Sequence, residues 1–269
     1  MKEFKARIYD FDGTAKTDSL SLEHAFNLVH GGEYAVILLQ VESQQGVELW
    51  WGKHADLAMN GHRYHTGIMT SGMTLGKLQR ATNEEYQATS ELYFNSANVV
   101  NAALKQTPYF EFFEQGLSAK TLEVEPGREM LIASQREYPP STEKNFSFAP
   151  HADSISYARA NDSWPIKTSY PQTAAFITVQ NAANEAGFVM WDYLPSSRSE
   201  LDEFIALYGK DEAQGMEFLA QFESMEINPE VGELCIFNCR KMHGIQTCDT
   251  LRKTIGSFFI KQDGWRIFD

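Results

Sequence analysis

The spacing of apolar residues near the start of the chain predicts a helix followed by buried strands. Residues 20–32 (LSLEHAFNLVHGG) show helical spacing, and Gly31-Gly32 is a common signal for the end of a helix. The unbroken apolar run YAVILLQV (34–41) predicts a buried strand, and VELWW (47–51) predicts a second strand after a short turn. The start of the chain is therefore expected to mix helix and strand.

Residues 76–120 return to a helical pattern. Leu92, Val99, Ala103 and Leu104 recur at intervals compatible with one face of a helix. We assign this stretch to helices and place the end of the mixed region at about residue 120.

Strand-like segments dominate the chain after residue 120. Short apolar runs alternate with turn residues, which is typical of a sandwich or barrel and not of alternating strands and helices. The seven strand candidates are KTLEVEP (120–126), REMLIASQREY (128–138), FSFAPH (146–151), YPQTAAFITVQN (170–181), GFVMWDYL (187–194), GELCIFN (232–238) and RKTIGSFFIKQ (252–262).

An acidic, helix-forming segment at 197–226 interrupts these strands. It predicts a helical insertion on a β scaffold, so we expect a single domain over 1–269, with a mixed region at 1–120 and a β core at 121–269. Two interpretations of the insertion stay open: a helical pair packed permanently on the sheet, or a lid that hinges at Gly209 and Gly215. Its apolar positions at helical spacing are Leu201, Phe204, Ile205, Leu207, Tyr208, Phe218, Leu219 and Phe222.

Charge and composition narrow the functional classes. The net charge of −13 argues against nucleic acid as a partner, because nucleic-acid-binding proteins usually present a basic face. No apolar run approaches the ~20 residues that cross a membrane, and no signal peptide is seen. Three cysteines without zinc-site spacing favour a reducing, cytoplasmic setting. The oligomeric state, including a homo-oligomer, stays open.

The stretch IYDFDGT at 8–14 resembles the nucleophile loop of haloacid-dehalogenase-type phosphatases, with Asp10 as nucleophile and Asp12 as acid/base. Such a loop must follow a central parallel strand that is buried on both faces. The preceding FKARIY alternates charged and apolar residues, which indicates a half-exposed strand. We keep the phosphatase as a remote alternative and interpret Asp10 and Asp12 as a polar turn.

A stronger candidate for a metal site lies in the strand-rich half. In FAPHAD (148–153), His151 and Asp153 are two residues apart, so an extended strand directs both to one face. His243 follows the strand ELCIFN. Two imidazoles and one carboxylate form the facial triad of non-haem Fe(II) oxygenases, which leaves three coordination positions open.

A second HAD tripeptide at 54–56 competes with this assignment. His54, Asp56, His62 and His65 lie close together in the sequence and are able to bind a metal. No strand-borne histidine and arginine follow this cluster at matching spacing, so a solvated or substrate-facing loop is the preferred interpretation.

Arg252 and Thr254, which both come after His243 in the sequence, extend the pattern. Arg252 follows nine residues later on the next strand, where a guanidinium is able to pair bidentately with a distal carboxylate. Thr254 lies on the same strand face and offers a hydroxyl donor.

This ordered set resembles the Fe(II)/2-oxoglutarate-dependent oxygenases, over roughly residues 120–262. NEAGFVMWDY, the helical insertion and the ending GELCIFN…His243…RKTIGSFF are similar to a narrower group, the indole-alkaloid halogenases and the hydroxylases of N-substituted amino acids. The resemblance implies a double-stranded β-helix core of the jelly-roll or cupin-like type. Halogenases of this kind carry Gly or Ala where this chain has Asp153, so the resemblance points to hydroxylation.

The resemblance also implies the cofactors and the roles of the site residues. His151, Asp153 and His243 would hold Fe(II), and Arg252 with Thr254 would bind the far carboxylate of 2-oxoglutarate. Reaction with O2 would give succinate, CO2 and a ferryl species that attacks an unactivated C–H of a small molecule, such as an amino acid derivative or a specialised metabolite. The alternative is a cupin-like protein that binds a metal or small molecule without oxygenase chemistry.

Four aromatic residues on strands near the motif are candidates for the substrate pocket. They are Phe146, Phe148, Trp191 and Tyr193. Core packing is an equally good account of each of them.

Overall fold

The computed structural model describes most of the chain as strands and helices. The described residues are 2–13, 15–51, 67–81, 84–141, 145–154, 171–182 and 187–269. Their helices are α1 Leu22–His30, α2 Gln44–Trp51, α3 Leu75–Arg80, α4 Tyr86–Leu104, α5 Pro108–Leu117, α6 Arg198–Lys210 and α7 Glu212–Leu219. Their strands are β1 Glu3–Tyr9, β2 Ala15–Ser21, β3 Val36–Gln40, β4 Met69–Thr70, β5 Lys120–Thr121, β6 Glu123–Glu125, β7 Arg128–Glu129, β8 Ser134–Tyr138, β9 Phe146–His151, β10 Gln172–Gln180, β11 Phe188–Trp191, β12 Ser224–Ile227, β13 Glu233–Phe237, β14 His243–Gln246, β15 Arg252–Lys261 and β16 Trp265–Phe268.

Two sheets face each other. The major sheet has the order β2-β1-β3-β13-β10-β15-β16-β5, and β8 adds to β15 and carries β4. Strand β15 is long enough to pair with β10 along one edge and with β8 and then β16 along the other. The minor sheet has the order β12-β11-β14-β9. A mainly β fold with flanking helices is thus confirmed.

Strand alternation divides the buried apolar residues into three layers, because successive side chains point to opposite faces of a sheet. On β10, Ala175 and Ile177 pack with the helices behind the major sheet, whereas Ala174 and Phe176 face the minor sheet. On β11, Phe188 and Met190 face inward, and Val189 and Trp191 face outward. The space between the sheets is therefore bordered by alternate residues of each strand.

The start of the chain forms an antiparallel hairpin and one helix, α1. Strand β1 pairs antiparallel with both β2 and β3 and alternates exposed and buried residues. Asp10 and Asp12 lie in the turn between β1 and β2, where the Asp10 Oδ1 accepts from the Phe11 backbone N–H at 2.9 Å. Because β1 is not a central parallel strand, the geometry that a phosphatase nucleophile needs is not present there.

The stretch VELWW (47–51) forms the end of helix α2, so the predicted strand was wrong. A strand would bury alternate residues, but the buried positions are Val47, Trp50 and Trp51, at helical spacing. Leu49 is 69% exposed. The aromatic and β-branched composition favoured a strand, and packing of the helix face decided otherwise.

The predicted helices at 76–120 are confirmed as α3, α4 and α5, but the face proposed for α4 was partly wrong. Leu92 and Val99 are 60% and 59% exposed. The buried face of α4 is formed by the neighbouring positions Tyr93, Phe94, Ala97, Val100 and Leu104.

The segment between β11 and β12 contains α6 and α7. Ser197 caps α6 by accepting from the Glu200 backbone N–H, and Asp211 caps α7 by accepting from the N–H groups of Ala213 and Gln214. Leu201, Phe204 and Leu219 are buried against the outward-facing residues of the minor sheet. The two helices therefore lie on the face of this sheet that points away from the major sheet.

All three cysteines, Cys235, Cys239 and Cys248, are buried and free. Among the residues that the structure describes, no helix is long and apolar enough to cross a membrane.

Candidate active site

A cleft lies between the inner faces of the two sheets. Polar and aromatic side chains share its walls. The polar ones are Arg136, His151, Asp153, His243, Thr254, Ser257 and Asp269, and the aromatic ones are Tyr138, Phe148, Phe176, Phe188, Phe237 and Phe258.

Three of the predicted ligands meet at one end of this cleft. The ligand atoms of His151, Asp153 and His243 all lie within 4.8 Å of one another. The Asp153 Oδ2 is 3.5 Å from the His151 Nε2 and 3.4 Å from the His243 Nε2. Within the described part of the chain, this is the group of His, Cys, Asp and Glu residues with the spacing of a metal site.

Strand β9 reaches this arrangement through two irregularities in its pairing with β14. His243 lies opposite His151, Ile245 opposite Phe148, and Gln246 opposite Phe146, so β9 uses extra residues at both steps. A bulge of this kind reverses the face to which the following side chains point. As a result, Phe148 and His151 both face the cleft, although they are three residues apart, and their ring centroids are 4.3 Å from each other.

Backbone carbonyls orient both imidazole rings. The His151 Nδ1 is 2.8 Å from the carbonyl oxygen of Ala149, and the His243 Nδ1 is 2.9 Å from that of Lys241. A carbonyl oxygen only accepts, so each Nδ1 carries the proton and donates it. Each Nε2 is left with a lone pair directed at the common point beside Asp153, as in metal-binding histidines.

The charges of the group favour the protonation states that bind a cation. Burial acts to raise the pKa of the Asp153 carboxyl, but the adjoining His151 and His243 imidazoles outweigh it and hold that pKa well below its usual range. Burial, together with the nearby His151 ring, lowers the pKa of His243. Asp153 is thus an anion and His243 a neutral imidazole at neutral pH.

A second polar group lies along β15 and β10. Arg252 is fully buried, and its guanidinium carbon is 5.9 Å from the ring centroid of Tyr138 and 5.8 Å from that of Phe176, two residues of the cleft wall. Burial lowers the pKa of Arg252. Thr254 points to the same face, and Thr178 lies opposite it on β10 with a buried Oγ1 that has no hydrogen-bond partner among the described residues.

The structure also places Arg136 and Asp269 in the cleft wall, and the sequence analysis did not single out either residue. Arg136 lies opposite Thr254 in the pairing of β15 with β8, and its Nη2 donates to the Asp269 Oδ1 at 3.0 Å. The alternation of REMLIASQREY places Arg136 on the same strand face as Tyr138, and this spacing is the feature of the sequence that could have identified Arg136 as a cleft residue. No motif marked Asp269.

Of the four aromatic candidates, Phe148 lines the cleft. Phe146, Trp191 and Tyr193 instead pack with α6 and α7 on the outer face of the minor sheet. The reason is strand parity for Trp191, which alternates with the inward-facing Met190, and the β9 bulge for Phe146. The competing histidines His54, His62 and His65 lie outside the described residues.

The donor set fits Fe(II). Two imidazoles and one carboxylate, held on one side of a common point, match the facial triad of non-haem iron oxygenases. The cleft extends from this point between the two sheets, which is where such a site would take its other ligands.

Comparison with solved structures finds the same fold over the whole chain. A crystal structure of an N-substituted L-amino acid dioxygenase from Burkholderia ambifaria AMMD is 32% identical, with 99% of each chain covered and a TM-score of 0.85. The chain belongs to the Fe(II)- and 2-oxoglutarate-dependent oxygenases. A structure described as this dioxygenase in complex with α-ketoglutarate is 31% identical, covers 100% of this chain and 99% of the other, and has a TM-score of 0.83.

No protein-family model and no curated protein sequence matches this oxygenase. The predicted family, the jelly-roll type of core, the dioxygenase class, and the requirement for Fe(II), 2-oxoglutarate and O2 are confirmed by the structural relatives. The cupin-like binding protein and the phosphatase that used Asp10 and Asp12 are thereby set aside.

Proposed function

We propose that this oxygenase hydroxylates an unactivated C–H bond of an N-substituted amino acid, with Fe(II) held by His151, Asp153 and His243. The observation that carries the proposal is the convergence of the Nε2 atoms of two carbonyl-oriented imidazole rings and one carboxylate at the end of the cleft. When bound, Fe(II) and 2-oxoglutarate supply the O2 activation and the oxidising power that break the C–H bond.

Arg252, Thr254 and Thr178 are proposed to bind the far carboxylate of 2-oxoglutarate. Arg252 is fully buried beside the cleft residues Tyr138 and Phe176, and a guanidinium is able to bind a carboxylate bidentately. Charge-assisted hydrogen bonds from Arg252 would hold that carboxylate, and the two hydroxyl groups that face each other across β15 and β10 would add donors.

Asp153 decides the outcome between hydroxylation and halogenation. Its carboxylate stands between the two Nε2 atoms and would fill the third protein position on the metal. A halogenating site needs this position open for a halide ion, so the anionic Asp153 supports hydroxylation.

The aromatic wall supports chemistry that excludes water. Phe148, Phe188 and Phe237 surround the imidazole rings, with the ring centroids of Phe188 and Phe237 at 5.8 Å and 4.9 Å from that of His243. Such walls leave little room for water beside the metal and hold an apolar part of the substrate near it.

The substrate class rests on the relatives. Two solved structures that share the whole fold are described as an N-substituted L-amino acid dioxygenase, at 32% and 31% identity. A substrate with a carboxylate and a substituent on its nitrogen also suits a cleft that mixes guanidinium, hydroxyl and aromatic groups.

Three further expectations, on the number of domains, the location in the cell and the helical insertion, are kept as proposals. The chain would form a single cytoplasmic domain, and the segment at 197–226 would be a helical insertion on the β core. The buried contacts of α6 and α7 with the outer face of the minor sheet support permanent packing, with the helices acting as a support for the histidine-bearing strands and not as a cover over the cleft.

The test is anaerobic reconstitution with Fe(II) followed by a substrate panel in air. N-acyl L-amino acids, the matching free L-amino acids and the N-acyl D-amino acids are each incubated with 2-oxoglutarate, and succinate and the mass of the product are measured. The proposal expects succinate together with a product heavier by one oxygen for N-acyl L-amino acids. Succinate formation that is the same with free amino acids and with no substrate would contradict the substrate class.

A further inference from the structure

Asp269 is a buried acid in the wall of the cleft, where the proposed iron ligands already include one carboxylate. Asp269 is 1% exposed and lines the same cleft as His151, Asp153 and His243. Buried carboxylates are costly unless they are paired, so this one calls for an explanation. The proposed roles of the triad and of Arg252 do not use it.

The partner of this acid is Arg136, which is less buried. The Arg136 side chain is 21% exposed, and its Nη2 donates to the Asp269 Oδ1 at 3.0 Å. Arg136 lies opposite Thr254, two cross-strand pairs along from Arg252 and Tyr138 and therefore on the same face of the sheet. Its guanidinium therefore borders the path between the proposed carboxylate site at Arg252 and the metal end.

Asp269 itself is held by three hydrogen bonds besides the one from Arg136. The Ser134 Oγ donates to the Asp269 Oδ2, the Tyr93 hydroxyl donates to the Asp269 carbonyl oxygen at 2.7 Å, and the Asp269 N–H donates to the Leu131 carbonyl oxygen at 2.6 Å. An acceptor held in this way restricts the orientation of the guanidinium that binds to it.

The charge balance of the cleft makes the role of Asp269 testable. Burial raises the pKa of Asp269 to about 6, Arg136 opposes that shift, and the charge of Asp153 adds to it. The acid thus adds negative charge near a cleft that must accept anionic ligands. On electrostatics alone, removing that charge would tighten the binding of a carboxylate.

We propose that Asp269 is a positioning residue that holds Arg136 as a second carboxylate-binding guanidinium of the cleft. The carboxylate comes either from 2-oxoglutarate or from the amino acid substrate. This inference rests on the proposed function, since it takes the cleft as the place where both molecules bind.

The experiment compares wild type with Asp269→Asn, Arg136→Gln and the double variant. Binding of 2-oxoglutarate is titrated anaerobically with Fe(II) through the visible charge-transfer band, and the KM for an N-acyl amino acid is measured at saturating 2-oxoglutarate. Asp269→Asn is expected to weaken one of the two ligands at least about tenfold, which corresponds to about 1.4 kcal/mol. The ligand that weakens identifies the source of the carboxylate.

The double variant tests whether Asp269 acts through Arg136. If it does, Asp269→Asn adds nothing to the loss caused by Arg136→Gln, within about twofold, because the two residues form one coupled unit. Losses that multiply, unchanged binding, or tighter binding in Asp269→Asn would each overturn the inference.

Two further variants separate positioning from folding. Ser134→Ala removes a hydrogen bond to the Asp269 carboxylate but keeps both charges, and it should weaken the same ligand in the same direction. Asn101→Ala removes two buried hydrogen bonds to the main chain of Met130 and Ile132, none of which lines the cleft, and should lower the thermal midpoint without changing either affinity. The wild type is measured first, so a wild type without a 2-oxoglutarate-dependent band would refute the proposed function itself.

Discussion

At the scale of single residues, the orientation of two imidazole rings accounts for most of the proposed site. Each ring is held by the carbonyl oxygen two residues before it, Ala149 for His151 and Lys241 for His243. This fixes the proton on Nδ1 without any help from another side chain. The ligand geometry is therefore built into the backbone of β9 and of the turn before β14.

The first prediction at this scale concerns the location of the iron. His151→Ala should abolish tight Fe(II) binding and turnover, because the remaining imidazole and carboxylate leave the metal with two protein ligands. His54→Ala, in the competing tripeptide, should keep both. Fe(II) binding is measured anaerobically by equilibrium dialysis.

His24→Ala serves as the matched control, because His24 is an exposed histidine on α1. Loss of iron in His54→Ala together with retention in His151→Ala would move the site to the amino-terminal cluster.

The second prediction concerns the cosubstrate. Arg252→Ala should raise the KM for 2-oxoglutarate by at least about tenfold, since a charge-assisted pair is lost and about 1.4 kcal/mol corresponds to a factor of ten. Fe(II) affinity should change little. Lys253→Ala is the control. Lys253 is the basic residue next to Arg252, and its Nζ is 3.3 Å from the Glu137 Oε1, so it already has an acidic partner. If the KM rises in Lys253→Ala and not in Arg252→Ala, the assignment fails.

The sequence reached some of these residues and not others for a physical reason. His151, Asp153, His243 and Arg252 belong to a spacing pattern that strands impose, so the pattern was visible without a structure. Asp269 enters the cleft only through tertiary packing against β8, and no local spacing records that contact.

At the scale of elements, the two irregularities of β9 determine which residues face the cleft. A regular strand would place Phe146 and Phe148 on one face, but the bulge sends Phe146 outward and Phe148 inward. Helix α2 shows the same limit of local pattern, since Val47 and Trp51 share a face in either a strand or a helix, and the exposure of Leu49 decides for the helix. Element types with long periodic runs, such as α4 and β10, were predictable, whereas bulges and short segments were not.

The third prediction concerns α6 and α7. Hydrogen exchange of both helices should be the same with and without Fe(II), 2-oxoglutarate and substrate, because their buried faces pack on the minor sheet outside the cleft. Packing is close where the helices meet, since a Cβ at Gly215 would lie 2.7 Å from the Tyr208 ring. A gain of protection that appears only when all three ligands are present would show that the pair is a lid after all.

At the scale of the whole molecule, aromatic packing joins the helices to the major sheet. Phe259 on β15 is fully buried, with its ring centroid 4.7 Å from that of Phe26 on α1 and 4.9 Å from that of Phe113 on α5. The strand that carries Arg252 thus also anchors two helices. The β-rich half and the helical half were both predictable from composition and periodicity, but their contact through one strand was not, because it joins residues far apart in the sequence.

The fourth prediction tests this packing. Phe259→Ala should lower the free energy of unfolding by about 3–5 kcal/mol, through lost apolar burial and the cavity left behind. Leu92→Ala, at an exposed apolar position of α4, should change it by less than about 0.5 kcal/mol. Urea unfolding followed by fluorescence measures both, and a small change in Phe259→Ala would mean that neighbouring rings close the cavity.

The position of β3 in the major sheet bears on how the protein is made. This early apolar strand lies between β1 and β13, and its Ile37 pairs with Ile236. During synthesis, one edge of β3 must wait for β13 to leave the ribosome, and an open apolar strand edge invites pairing with other chains. Pairings between such distant segments also slow folding. The two histidines lie on β9 and β14 of the minor sheet, and β14 follows β13 in the chain, so they also meet late and the metal is expected to load after folding and not to guide it.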